Sequence, residues 1–192
     1  IFSFFVIILP FITVAITSFT VNMGKPLTLS NLSLKAWEKV FSRASIISST
    51  TNSFLTATAA AFFGILISCV MAYLLQRTNV KGKRIPDFLI TLGSGTPSVT
   101  IALALIISMS GKFGINIYNT LTIMVIAYMI KYMLMGMRTV VSAMSQVHPS
   151  LEEAAQISGA NWLRMLKDVT LPLIGASIVA GIFLIFMPSF YE

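Results

Sequence analysis

The stretch 151–174, "LEEAAQISGANWLRMLKDVTLPLI", decides how the chain reads. It is charged and amphipathic, yet it lies between two segments apolar enough to sit in lipid. Ser150-Leu151-Glu152-Glu153 has the form of a capping box, with Ser150 as N-cap and Glu153 reaching back from the third helical position, so a short helix is expected to start there. Leu151, Ala154, Ala155 and Ser158 recur at helical spacing and form a narrow face of mostly small side chains, while Glu152, Glu153 and Gln156 face elsewhere. Gly159 is expected to end this helix, because a left-handed C-terminal residue carries little steric penalty only when it has no Cβ. A second helix from Trp162 to Asp168 then carries Leu163 and Leu166 on one side and pairs Arg164 with Asp168. Pro172, tolerated in a first turn because its missing N–H would be unbonded anyway, opens the next apolar run.

Outward from this loop, composition sets the class. Of 192 residues 56% are hydrophobic and 10% charged, and the mean hydropathy is +0.89, far outside soluble-domain norms. Five apolar runs are visible: 1–19, 54–75, 88–110, 117–137 and 171–187. Each is near the ~20 residues that a helix needs to cross roughly 30 Å of hydrocarbon. Residues 1–19 lack a basic leading region and a small-residue cleavage site, and Pro10 interrupts them, so they read as a first span and not as a signal peptide. The expected fold is all-α, a polytopic membrane helical bundle contacting lipid, in one domain over 1–192. The chain starts without methionine and stops directly after an apolar run, so it reads as a fragment. No Ser/Gly-rich linker, low-complexity tract or repeat interrupts it.

The formal net charge of +7 is spread over short loops, which argues against nucleic acid as a partner. Basic loops in such a chain orient helices. Arg77, Lys81, Lys83 and Arg84 crowd one turn, and Arg138, Arg164 and Lys167 lie in or beside the quoted loop, so both belong on the cytoplasmic side. Lys25, Lys35, Lys39, Arg43 and Lys112 fall on the other. The single cysteine, Cys69, lies inside an apolar run and reads as buried filler. His148 has no metal-ligand partner at motif spacing and no P-loop occurs, so no catalytic group, metal or cofactor is expected. None of the five runs contains Asp or Glu, which argues against a proton- or sodium-coupled secondary transporter. A channel or a membrane scaffold would leave the capped, glycine-cornered loop without a purpose.

Two elements inside the runs are polar. "GSGTPSV", 93–99, places Gly93, Gly95, Pro97 and Ser98 in the third run. Backbone groups freed there cannot be satisfied by lipid, so the break either lines a translocation path or packs closely on neighbouring helices. Lys131, in "YMIKYML", is the charge well inside a run, at a cost of about 2.5–3.5 kcal/mol at a helix centre. It is expected to snorkel toward the cytoplasmic side, with a gate or pairing role as the alternative. Tyr128 and Tyr132 flank it at helical spacing.

Glu153-Ala154-Ala155, three residues, Gly159, and then Val169-Thr170-Leu171-Pro172 resemble the cytoplasmic EAA loop of bacterial ATP-binding-cassette importer permeases. Asn52-Ser53 at the start of the second run, a proline in the third and a basic residue in the fourth extend the resemblance over nearly the whole chain. It implies six spans, of which five are visible, and a short cytoplasmic coupling helix within the loop 149–169. Glu153, Ala154, Ala155, Gly159, Leu171 and Pro172 would then carry the coupling to a separate ATP-binding subunit, and Gly93, Gly95, Pro97, Ser98 and Lys131 the path. The implied partners are cytoplasmic ATP-binding subunits, a periplasmic or lipoprotein solute-binding protein, and a second permease half. The chain itself would be no enzyme but the transport subunit of an inner-membrane importer. Its fourth run and loop look most like the ferric-iron branch, with phosphonate, polyamine or thiamine as alternative cargoes.

Overall fold

The structure is a computed structural model that describes residues 4–22, 24–26 and 28–192. The described residues form two compact units, Ile1–Thr51 and Asn52–Glu192. In the first, a π-helical turn, Phe4–Ile8, runs into α1, Leu9–Thr17. The apolar helix Phe4–Thr17 is shorter than a full span. Beyond it the chain folds around Asn31, which is buried and whose amide accepts from the Asn22 N–H at 3.1 Å and donates to the Asn22 carbonyl at 3.1 Å. Helix α2, Lys35–Ser42, carries Trp37, which stacks on Phe41 with centroids 6.1 Å apart.

The second unit is built on α3, Ala44–Arg77, from Asn52 onward, α6, Leu121–Gln146, and α9, Leu171–Tyr191, with the shorter α4, Arg84–Gly95, α5, Ser98–Met109, α7, Pro149–Ile157, and α8, Trp162–Met165, between them. Among the described residues three stretches are long and apolar enough to cross a membrane: Ala44–Arg77, Leu121–Gln146 and Trp162–Tyr191. The third apolar run is not a straight span. It is α4 plus α5, bent by 111°. Pro97 is the cause: its ring drives Thr96 out of the helical region, to φ −75°, ψ 137°, and it offers no N–H to continue the ladder. Each half is only about 18 Å long at 1.5 Å per residue, too short to cross alone. The five runs thus become three full-length spans, one broken pair and one short helix.

Contacts fix the directions of α3, α4 and α6. Arg77, at the end of α3, reaches the carbonyls of Met144 and Val147 at the end of α6, so these two helices run the same way and the chain between them must return. The α4 helix runs antiparallel to α6, with Asp87 paired to Arg138 at 2.9 Å and Gly93 set against Ile130.

The three long helices converge on glycines. A Cβ at Gly136 would lie 2.7 Å from Ile185, one at Gly181 2.7 Å from Ile65, and one at Gly64 3.1 Å from Ile185. Small residues let backbones approach where lipid tails give no hydrophobic drive to association. Ile65, Ala72, Val140, Met144 and Ile174 fill the core beside this crossing. The buried Ser68 and Ser189 hydroxyls bond within their own helices, donating to the Gly64 and Ile185 carbonyls, both at 2.7 Å. Outward faces carry Phe62, Phe63, Leu66, Phe183 and Met187, apolar surface that belongs in lipid or against another apolar surface.

Candidate functional site: the glycine-cornered loop and the broken span

The cap of α7 differs from the expected one. His148, not Ser150, is the N-cap: its Nδ1 accepts from the Ser150 N–H at 3.3 Å and meets Ser150 Oγ at 2.8 Å. Pro149 takes the first helical position, where its missing N–H costs nothing, and this moves the boundary two residues upstream. Glu153 is therefore released from capping and is exposed. The far end closes as a Schellman motif: Gly159 has φ +88°, its N–H donates to the Gln156 carbonyl at 2.9 Å, and the Ala160 N–H donates to that of Ala155 at 3.0 Å.

After the corner, the Asn161 side chain caps α8 by accepting from the Arg164 N–H at 2.8 Å. The expected separate second helix does not end before Pro172. It passes through a π-helical turn, Leu166–Thr170, directly into α9, so Trp162–Tyr191 is one rod of 30 residues. The wider turn removes the clash between the Pro172 ring and the carbonyl four residues back, which would otherwise kink the helix. Arg164 and Asp168 stand 3.9 Å apart and are largely exposed, a pair that contributes little. The Trp162 indole N–H donates to the Tyr73 hydroxyl at 2.8 Å and pins the rod to α3.

The second carboxylate of the loop lies inside. Glu152 is 6% exposed, and its Oε2 takes a 2.9 Å bond from Arg77 Nε. Its Oε1 accepts from the fully buried Thr170 hydroxyl at 3.0 Å. The same guanidinium donates to the Val147 carbonyl at 2.7 Å and to that of Met144 at 3.3 Å. A buried charge needs this degree of satisfaction, and Arg supplies it because its donors form a planar fork. Lys83 similarly closes α3, donating to the carbonyls of Leu75 at 2.8 Å and Thr78 at 2.6 Å.

At the broken span, Lys131 does not snorkel. Its ammonium donates to the carbonyls of Thr96 at 2.7 Å and Ser94 at 3.2 Å, the groups that Pro97 leaves without helical partners. Beside them is a cavity of about 270 Å³ lined by Ser98, Ala102, Ala127, Tyr128, Lys131 and Glu192, among others. Tyr132 donates its hydroxyl to Glu192. Gly93 is a packing glycine, where a Cβ would come 2.9 Å from the Ile130 side chain, whereas Gly95 faces open space.

Residues 64–192, more than half of the chain, match the family described as binding-protein-dependent transport system inner membrane component. The chain belongs to this family. It is a permease of the ATP-binding-cassette importer kind and a multi-pass inner membrane protein. It is 28% identical over 173 residues to a putative ferric transport system permease protein of Haemophilus influenzae, covering 86% of this chain and 26% of that protein. It is also 28% identical over 173 residues to the sulfate transport system permease protein of Salmonella typhimurium, covering 85% and 62%. A trehalose/maltose transport system permease protein of Thermococcus litoralis is 27% identical over 190 residues, covering 95% and 66%. The chain thus spans less than two thirds of each of these three relatives. In fold it is similar to a bacterial ABC transporter involved in the import of the acidic polysaccharide alginate, with a TM-score of 0.73 over 99% of this chain and 71% of that one, at 16% identity.

Within the permease, the six residues read as coupling positions fall on one continuous segment. Glu153, Ala154, Gly159, Leu171 and Pro172 are exposed and Ala155 is half-buried. Of the five read as path positions, Ser98 and Lys131 share the cavity, Pro97 makes the break beside it, and Gly93 and Gly95 do not line it. Reading the residues one loop at a time missed Glu152 and Arg77, because each looked like an ordinary loop charge. One signal was available: an arginine just past the edge of an apolar run, with only six carboxylates in the whole chain to pair with.

Proposed function

We propose that this permease is the membrane half of an ATP-driven importer, moving a small solute by alternating access while ATP is hydrolysed on a separate cytoplasmic subunit that docks on α7. The observation that carries this reading is the form of the loop. A short helix, closed by a cap at one end and a Schellman corner at the other, presents Leu151, Glu153 and Ala154 outward together with Ile157, which is 88% exposed. An isoleucine so exposed on a capped loop suits insertion into another protein's groove. A soluble binding protein would deliver the solute on the opposite side, and a second permease half would cover the apolar flanks.

The test is Ile157→Asp in the full-length permease, expressed with its ATP-binding subunit. Co-purification of that subunit is expected to fall by at least about tenfold, the scale of a lost interface anchor, with insertion unchanged. Association at the wild-type level would remove the docking reading.

For the cargo, the ferric-iron reading is supported by the fourth run and by the names of two relatives. Relatives of similar identity are named for sulfate, trehalose/maltose and molybdate/tungstate, so the names do not separate these solutes. One observation favours an oxyanion as the second reading. Among the described residues Lys131 makes no ion pair and its two hydrogen-bond partners are neutral carbonyls, so its ammonium can counter an anion in the cavity; the Glu192 carboxylate lines the same cavity and is hydrogen-bonded by Tyr132. Uptake of labelled ferric iron, sulfate, molybdate, phosphonate, putrescine and thiamine, in cells with and without this gene, separates them: loss of iron uptake supports the first reading, and loss of sulfate or molybdate uptake the second.

A further inference from the structure

We propose that Arg77 and Glu152 are positioning residues that form the joint through which the docking helix drives the spans. This rests on the docking reading above and adds what that reading does not supply, the route by which force leaves α7. The backbone alone provides only a flexible path out of the helix: at one end Val147 and His148 in extended conformation, at the other the glycine corner. The side-chain cluster bridges both ends at once.

Glu152 belongs to α7, Arg77 to α3, Met144 and Val147 to the end of α6, and Thr170 to the π-helical turn that leads into α9. Four elements therefore meet at one carboxylate and one guanidinium, with side chains only 8% and 9% exposed. Two of the hydrogen bonds tie Arg77 to the end of α6, one ties it to α7, and one ties α7 to the π-helical turn, so a displacement of α7 reaches three spanning helices together and not one after another. The chemistry is specific. Lysine would offer a point charge that cannot meet a carboxylate and two carbonyls in a fixed plane. Glutamine would keep the shape and the Thr170 bond but not the charge that holds the fork. Stability alone does not require a charged pair here, since a buried ion pair can often be replaced by apolar residues of similar size without loss of stability.

The experiment uses the full-length permease with its ATP-binding subunit and binding protein, reconstituted in liposomes, in four forms: wild type, Glu152→Gln, Arg77→Lys and the double variant Arg77→Met/Glu152→Leu. The double variant keeps the joint packed and separates folding from coupling. Insertion, thermal stability, bound ATP-binding subunit, and stimulation of ATP hydrolysis by loaded binding protein are measured together. In all three variants the subunit is expected to stay bound while stimulation and transport fall by about tenfold, a typical coupling loss. Wild-type stimulation in the stable double variant would overturn the joint and leave the docking reading intact. Loss of bound ATP-binding subunit from Glu152→Gln would also overturn it, by making Glu152 a residue that shapes the docking surface. Failure of the docking reading is seen separately, as Ile157→Asp retaining the subunit.

Discussion

Gly159 carries its constraint in the backbone alone. At φ +88° it lies where residues with a Cβ are disfavoured, yet a Cβ built there would meet nothing within 4 Å. Substitution therefore acts through conformation and not through a clash. Gly159→Val is expected to cost on the order of 1–2 kcal/mol at the corner and to reduce transport while leaving insertion intact, whereas Gly159→Asn should keep most activity because asparagine visits this region. Transport assays at matched membrane levels check the pair. Equal activity of Gly159→Val and wild type would show that the corner tolerates another geometry.

Lys131 makes a prediction in which insertion and folding move in opposite directions. Removing its charge in Lys131→Met should ease insertion of the helix by about 2.5–3.5 kcal/mol on insertion scales. In the folded protein it leaves the half-buried Ser94 and Thr96 carbonyls without their donor, a penalty of about 1 kcal/mol, the low end of the range for an unsatisfied group. Glycosylation-tagged insertion assays should therefore improve while thermal stability in detergent falls. A stability gain would mean that the ammonium does not serve the break.

Among the elements, the broken span and the long rod follow opposite rules for proline. Pro97 bends the chain by 111° because Thr96 cannot stay helical before it. Pro172 does not, because the π-helical turn Leu166–Thr170 has already opened the ladder around it. One rod from Trp162 to Tyr191 links the loop to a spanning helix without a hinge, which a mechanical element requires. Its expected signature is cooperative hydrogen exchange: amides of 162–165 should exchange with those early in α9, and not with α7 across the glycine corner. Protection of 162–165 that follows α7 instead would place the hinge at the π-helical turn.

For the whole molecule, the parallel course of α3 and α6 requires the chain to cross back between them through the broken pair. Single cysteines at Asn79 and Lys167, in a Cys69→Ser background, are expected to react with an impermeant thiol reagent only in inverted vesicles. One at Lys112, in the turn before α6, should react in intact cells. All three positions are exposed, so a failure to label would report sidedness and not burial. Labelling of Lys167 from outside would reverse the orientation.

What the sequence determined by itself was local or compositional. Hydropathy gave the membrane class, Gly159 its left-handed corner because no other residue enters that region as freely, and the spacing of Glu153-Ala154-Ala155, Gly159 and Leu171-Pro172 the family resemblance. What tertiary structure decided was every case in which a charge or a proline needed a partner far along the chain. Arg77 and Glu152 are 75 residues apart, and Lys131 lies 35 from Thr96. Composition places such charges near a membrane surface, because that is where an unpaired charge is least costly. Only the packing of the helices shows that each has a specific partner instead, buried for Arg77 and Glu152 and half-buried for Lys131, and that Pro97, by freeing carbonyls, creates the site that holds Lys131 within the span.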